Sequence, residues 1–421
     1  MGQRIVNNDR YELVYVRSDD DYPVPVLANT GTSGDAFGRL RTSSPFTIFD
    51  SQHRYQENDK WDTALNGGGS KTYAANESCV NLTVPTTSGA YVYRETKRVF
   101  PYQPGKSMLV MTSFAFAAPR TNLRQRIGYF GTQNGIYLES DGTATYLVRR
   151  SYVTGEVVNT RIAQADWNND KFDGTGLSGR TLDLSKTQIF WIDIEWLGVG
   201  DVRCGFVVDG RMVIAHTFHG DNINATSYMT TAILPLRQEI ENTGTIATSA
   251  TAKQICNTVA SEGGYEGFSR RYNLSTGSTA VTLTTAGTIY PIMALRLNST
   301  RLDSVVVPSN LNAAVEQTTS NKLDIVQYHV LLNPTITGGT WATHSNNNVQ
   351  YNTTITSFTG GTEIAGGYLT SSSSLDLGSI TDFNFQLGRT LAGVSDTLLI
   401  AATPTNDAAK LFLDLAWFEI V

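Results

Sequence analysis

Thr187-Gln188-Ile189-Phe190-Trp191-Ile192-Asp193-Ile194-Glu195-Trp196-Leu197-Gly198-Val199-Gly200-Asp201-Val202-Arg203-Cys204-Gly205-Phe206-Val207-Val208-Asp209-Gly210-Arg211-Met212-Val213-Ile214-Ala215-His216-Thr217-Phe218-His219 is the stretch that decides the fold class. Phe190, Ile192, Ile194 and Trp196 alternate with Trp191, Asp193, Glu195 and Leu197. A period of two sends successive side chains to opposite faces, so the segment reads as a strand. Gly198-Val199-Gly200-Asp201 reads as a turn, and Val202, Cys204, Phe206 and Val208 repeat the alternation. Asp209-Gly210 is the strongest hairpin signal in the chain, because both central residues of a type I′ turn need positive φ. Arg211 to Phe218 then closes a three-stranded antiparallel meander.

The same pattern extends upstream. Ser107–Phe116, Ile127–Phe130, Ile136–Leu138 and Thr143–Val148 read as strands, with Asp141-Gly142 marking a turn. Short strands at this spacing with glycine-bearing turns predict a β-sandwich or jelly roll. Downstream, Ile289–Leu297, Leu323–Leu332, Phe383–Leu387, Leu398–Ala402 and Leu411–Val421 repeat the pattern. So apolar a final segment predicts a strand paired inside a sheet. Leu311-Asn312-Ala313-Ala314-Val315 reads as at most a short helical turn.

The expected fold is all-β: two antiparallel β-sandwich or jelly-roll-like domains with an extended N-terminal arm. The arm spans residues 1–45, a lectin-like sandwich 46–240, a Thr/Ser/Gly-rich connecting segment 241–288, and a second sandwich 289–421. In the arm, Tyr11–Val16 could form one strand. Pro23, Pro25 and Asn29–Gly34 then mark extended chain. The arm is either a disordered tail or a segment that orders on a neighbouring molecule.

Composition narrows the function. Of 421 residues, 40% are hydrophobic and only 17% charged. That is below the roughly 25% charge of ordinary soluble domains, and Thr, Ser, Asn and Gly fill the gap. Faces dressed in hydroxyls and amides suit sheets that other polypeptides cover, because lone charges are costly to bury. The net charge of −6 and the lack of a Lys/Arg run argue against nucleic-acid binding. No 18-residue apolar run occurs, so no membrane partner is expected. Met1–Arg4 lacks the start of a secretory signal, and Val6 stands where a myristoylation motif needs Ser or Thr. Cys79, Cys204 and Cys256 fit neither a zinc site nor a disulfide framework, and free thiols in a protein assembled inside a cell are expected.

Few constellations invite chemistry. Asp193 and Glu195, two apart on a strand, would share one face. Paired carboxylates on a sandwich strand could serve a glycosidase. Common lectin-like glycosidases carry Glu-x-Asp-x-Glu or Glu-x-Asp-x-x-Glu there, but Trp191 replaces the leading Glu, and Trp196 the last Glu of the longer pattern. A solvated face paired to Arg203 or Arg211 is the plainer reading, with Asp193 and Glu195 kept as an alternative glycan site. His216 and His219 fall on opposite sides of a strand, so a shared metal is not expected. Asn66–Lys71 and Gly105-Lys106-Ser107 lack the phosphate-loop order, and the second is followed by a strand. Neither a cofactor nor a catalytic residue is expected. The 19 Tyr and 6 Trp could stack on sugars, but most sit in strand patterns where packing is the commoner fate.

One further segment is Gly34-Asp35-Ala36-Phe37-Gly38-Arg39-Leu40-Arg41-Thr42-Ser43-Ser44-Pro45-Phe46-Thr47-Ile48-Phe49-Asp50-Ser51-Gln52. It resembles a stretch near the N-terminus of virion structural proteins of tailed phages, especially those of aquatic and cyanobacterial hosts. The Trp191–His219 meander looks like a second block shared with the same group. The resemblance implies a particle component of tail, baseplate, fibre or capsid-surface type, assembled in the host cytoplasm. Its implied partners are copies of itself and other virion proteins, and it implies no active-site residues. Arginine forks suit interfaces, so Phe37, Arg39, Arg41, Phe46 and Phe49 are the expected docking residues. A capsid decoration protein, a host-glycan-binding receptor module and a glycan-degrading enzyme are the alternatives.

Overall fold

The computed structural model describes residues 44–266, 269–316, 323–345, 348–371, 374–379 and 385–420. The expected strand at Tyr11–Val16 and the rest of the arm up to Ser43 lie outside them. Phe46–Val421 forms one compact unit.

Its first strands are β1 (Pro45–Ser51), β2 (Trp61–Asn66), β3 (Ser70–Ala74), β4 (Cys79–Val84), β5 (Tyr91–Thr96), β6 (Ser107–Ala115), β7 (Leu123–Phe130), β8 (Gly135–Ser140), β9 (Thr145–Ser151) and β10 (Val158–Ala163). Next come β11 (Gln188–Ile194), β12 (Val202–Val208), β13 (Arg211–Phe218), β14 (Leu236–Asn242) and β15 (Ala250–Glu262). They build an eight-stranded sheet, β13-β12-β11-β6-β15-β4-β3 with β1 on β15, and a seven-stranded sheet, β10-β9-β8-β7-β14-β5-β2. Between the sheets, Val110, Phe114, Phe190, Ile192 and Phe206 pack with Ile127, Tyr129, Ile136, Leu138 and Leu236. These are the inward members of the two-residue alternation seen in the sequence. At the β12–β13 hairpin, Asp209 and Gly210 have φ of 49° and 76°, as a type I′ turn requires.

The second group is β16 (Arg270–Ser275), β17 (Val281–Leu283), β18 (Tyr290–Leu297), β19 (Val305–Glu316), β20 (Ile325–Leu332), β21 (Thr335–Thr337), β22 (Ala342–Thr343), β23 (Val349–Asn352), β24 (Ser357–Thr359), β25 (Thr362–Thr370), β26 (Ser374–Ser379), β27 (Thr397–Pro404) and β28 (Ala409–Ile420). The sheet β16-β28-β19-β26, with β17 on β28, faces the sheet β22-β23-β18-β27-β20-β25. Leu411, Leu413, Leu415 and Trp417 of β28 meet Leu295, Leu398, Ile400 and Val330 across the core. Neighbours along all four sheet orders run antiparallel. The all-β, two-sandwich class expected from the alternation is the observed one.

Three local readings change. Residues 241–288 are no connector. β15 lies between β6 and β4, and β16 and β17 pair with β28. Small inward residues, Ala250, Ala252 and Val259, carry the alternation of β15, and its other positions are mainly polar. Its composition therefore imitates a linker. Leu311–Val315 is not a helical turn but part of β19, paired to β28 on one side and β26 on the other; sheet pairing overrides the alanine preference for helix. Finally, Phe385–Leu387 has no strand geometry, while Phe383 and Asn384 lie outside the described residues.

The two sandwiches are tied together. Val99, Val305 and Val307 form a small shared cluster with Ile233, Phe418 and Ile420. Residues 385–396 run between them as a strap. Arg389 N–H donates to Lys97 O at 2.6 Å, and Leu391 N–H donates to Asp62 Oδ2 at 2.7 Å. Cys79 and Cys204 are buried thiols and Cys256 an exposed one. Among the described residues no helix is long and apolar enough to cross a membrane.

Two buried histidines make the fold acid-sensitive. Burial and the neighbouring Arg94 push His53 down to about 4. Burial, then His219 and Arg149, push His216 down to about 4. Both are neutral in the folded state at pH 5, while the unfolded chain protonates near 6.5. Falling pH therefore favours unfolding from about 6.5 to about 4, with a slope approaching two protons. Urea midpoints at several pH values should show that decline. The double variant His53→Gln, His216→Gln should flatten it, and an unchanged slope would contradict the assignment.

Candidate functional site

Asp193 sits near the end of β11, in register with Arg203 of β12. Its carboxylate accepts a hydrogen bond from the Ser107 hydroxyl and pairs with the Arg203 guanidinium. Only 7% of the residue is exposed. Glu195 is exposed just past the end of β11 at Ile194. Its N–H donates to Asp201 O at 3.1 Å, in line with the strand register, and Gly200 N–H donates to Trp196 O at 2.8 Å to close the turn. Leu197 takes a left-handed φ of 37°, and a Cβ on Gly200 would strike Glu195 O at 1.9 Å. The alternation runs on through Trp196 in sequence, and the turn closes from Trp196 to Gly200. Asp193 is held by Ser107 and Arg203, while Glu195 lies exposed beyond the strand end. Arg203 is the partner; Arg211 sits across from Val208 at the hairpin end.

The carboxyl group that Asp193 does influence is Glu262, at the end of β15. Burial first, then the Asp193 charge, raise the Glu262 carboxyl above its usual range. No sequence signal links the two, because strand order β11-β6-β15 alone brings them near. His216 and His219 part company as strand geometry requires. His216 Nδ1 accepts from Asn168 N–H at 3.3 Å, and His219 Nδ1 meets Asp201 Oδ2 at 2.9 Å. Gly105-Lys106-Ser107 is a turn running into β6, with no helix N-terminus behind it.

Of the expected docking residues, Phe37, Arg39 and Arg41 lie outside the described residues. Phe46 is 38% exposed, its ring stacked 5.7 Å from that of Tyr265. Phe49 is a core residue, not an interface one. It is 1% exposed and packs 4.9 Å from Phe100 and 6.3 Å from Trp61. The apolar run after Pro45 signals burial, but it does not say whether against the chain itself or a neighbour.

The most elaborate polar arrangement is one the sequence did not reveal. On the seven-stranded sheet, the face turned away from the core carries a continuous ion ladder. Asp303 pairs with Arg389 at 2.9 Å, and Arg389 with Glu95 at 2.7 Å. Glu95 pairs with Arg237 at 2.6 Å, and Arg237 with Glu239 at 2.5 Å. Arg126 bridges Glu239 at 3.1 Å and Glu139 at 2.5 Å. Arg161 ends the row on Glu139 at 2.6 Å and Asp141 at 2.9 Å. Guanidinium planes also lie over rings: Arg161 is 3.8 Å above Tyr146, and Arg150 is 5.1 Å above Tyr137. Burial opposes ionisation of Glu239, yet Arg237 and Arg126 outweigh it and hold its carboxyl below the usual range. A general acid needs the opposite shift. Glu239 is a fixed anion rather than a proton donor.

No protein-family model matches the chain, and no curated protein sequence does. Solved structures similar to it include a Bacteroides ovatus mixed-linkage glucan GH16 protein in complex with a G4G4G3G product, at 10% identity and TM-score 0.35 over 50% of this chain and 99% of that one. Arcelin-5, a lectin-like defense protein from Phaseolus vulgaris, matches at 9% identity and TM-score 0.32 over 53% and 99%. A legume lectin-like domain from Entamoeba histolytica matches at 10% identity and TM-score 0.31 over 52% and 98%. At these values the likenesses carry no inference about activity or ligand.

Proposed function

We propose that this chain is a non-enzymatic structural component of a tailed-phage virion, most simply of its tail, baseplate or fibres, working by contacts with its own copies and with other particle proteins. The observation that carries this reading is the ion ladder. Every carboxylate along it is paired with a guanidinium, which disfavours acid–base chemistry, and the row continues through Arg389 onto the second sandwich. Such a row stiffens a unit made to be held in a fixed array. The resemblance of Gly34–Gln52 to virion proteins supports the placement.

Two experiments test it. Incubation with a host surface polysaccharide should leave its viscosity unchanged, and Asp193→Asn, Glu195→Gln and Glu262→Gln should make no difference. A fall in viscosity that any of these variants abolishes would make the protein a depolymerase. The double change Arg39→Ala, Arg41→Ala should lower incorporation into particles several-fold while the purified protein keeps its unfolding midpoint; normal incorporation would refute the docking role.

A further inference from the structure

The two outer faces of the first sandwich differ. The seven-stranded sheet carries the ion ladder, whereas the outer face of the eight-stranded sheet is nearly bare of charge. Val110, Phe190, Ile192 and Phe206 point into the core, so their neighbours along β6, β11 and β12 point outward. Strand register sets these outward residues in rows. Met212 is opposite Val207, and Ile189 is opposite Ser113. The Phe190–Phe206 pairing makes Val207 and Ile189 neighbours and completes that row. The next row is Ile214, Gly205, Trp191 and Met111. Neither row carries a charge. The third row holds Asp193 and Arg203, which neutralise one another.

A hollow and a projection share the first row. The hollow, of about 360 Å³, opens where Ile189, Met111, Ser113, Cys256 and Thr258 meet, with Asp50 at its rim. The Trp191 indole does not project from the face. It is drawn over Gly205, where a Cβ would stand 2.7 Å from the ring, and only 3% of the residue is exposed. The projection is Met212 on β13, the edge strand two places from β11, and it is 47% exposed. Arg211 beside it makes no ion pair among the described residues.

We infer that two copies of the chain meet through this face, an inference that rests on the self-contacts proposed above and names their surface. A two-fold axis along the strands, midway between the hollow and Met212, seats each copy's Met212 in the other's hollow. An unbranched thioether adapts well to an irregular gap, and the symmetry makes the contact twice. The same docking brings Arg211 toward Asp50 at the rim, opposite charge to opposite charge. Uncharged rows meet uncharged rows, so no like charges are opposed. Five strands about 4.8 Å apart and roughly 20 Å long give a face of about 500 Å². Two such faces bury about 1,000 Å², the lower end for a specific interface, so monomer and dimer should interconvert with concentration.

Analytical ultracentrifugation of the full chain across a range of concentrations should show a monomer–dimer equilibrium. Alkylation of Cys256 by iodoacetamide should slow as the dimer forms, with the buried Cys79 and Cys204 as unreactive controls. Met212→Glu should weaken dimerisation at least roughly tenfold, because it carries a charge into an apolar hollow. The dilute monomer should keep its unfolding midpoint, since Met212 is exposed there. If that midpoint falls, Ile189→Glu serves in its place with the same expected direction. A monomer at every concentration, alkylation that ignores concentration, or a dimer indifferent to both changes would overturn the proposal. The virion role is tested apart from it. A chain that dimerises through this face yet never enters particles keeps this surface and loses that role, whereas a monomer that incorporates normally loses this surface alone.

Discussion

Replacing Glu239 by glutamine is expected to destabilise the protein by about 3 kcal/mol or more. Glu239 is the middle anion of the ladder, gripped by Arg237 on its own strand and by Arg126 on β7. It is nearly buried, and so are both guanidinium groups. Removing the charge leaves two cations facing a neutral amide, and breaking a buried pair costs about 3–5 kcal/mol. Arg237 keeps Glu95 and Arg126 keeps Glu139, which places the loss at the lower end. Urea unfolding gives the number, and a change below about 1 kcal/mol would mean that the ladder behaves like a set of exposed pairs.

The same residue predicts a pH signature. Its folded-state carboxyl titrates below the unfolded one, so its contribution is present above the ordinary glutamate range. It is lost as pH falls through the depressed folded value. The wild-type protein should lose stability below about pH 4.5 faster than Glu239→Gln does. Equal acid slopes in the two proteins would sink the account. This window lies largely below that of His53 and His216, so the two effects are separable.

Trp417→Ala should cost about 3–5 kcal/mol. Trp417 is fully buried in the second sandwich, its ring stacked 6.2 Å from that of Tyr272 and set edge-on 5.1 Å from that of His344. Its indole N–H donates to Glu419 Oε1 at 2.7 Å, and the Asn348 amide holds Oε2 at 2.8 Å. Truncation therefore opens a cavity and strips a donor from a carboxylate only 1% exposed. Trp417→Phe keeps most of the ring but not the donor, and should cost about 1–3 kcal/mol. Were the two variants equally destabilised, the hydrogen bond rather than the packing would account for most of what Trp417 contributes.

The expected alternation over Thr187–Phe218 became three strands with the anticipated turn at Asp209-Gly210, because strand period and turn chemistry are local properties. The apolar end of the chain became β28 for the same reason. β15 was hidden because Thr, Ser and Ala fill both sheets and linkers, and only its neighbours β6 and β4 make it a central strand. Phe49 and Phe46 could not be told apart, since an apolar residue does not state what buries it. Asp193 gained Ser107 and Arg203 as partners while Glu195 fell just past the strand end, a boundary that an alternation running to Trp196 does not mark.

The sequence by itself determined the all-β class, the main hairpin and the presence of two strand-rich regions, since each is written in residues a few positions apart. The tertiary structure alone decided the ion ladder and the Asp193–Glu262 proximity. Apart from the Arg237–Glu239 pair within β14, the ladder's pairings join residues 13 to 294 positions apart. Only strand order and register bring Glu95, Arg237 and Arg389 within reach of one another, and charge pairs across a sheet leave no periodic trace along the chain.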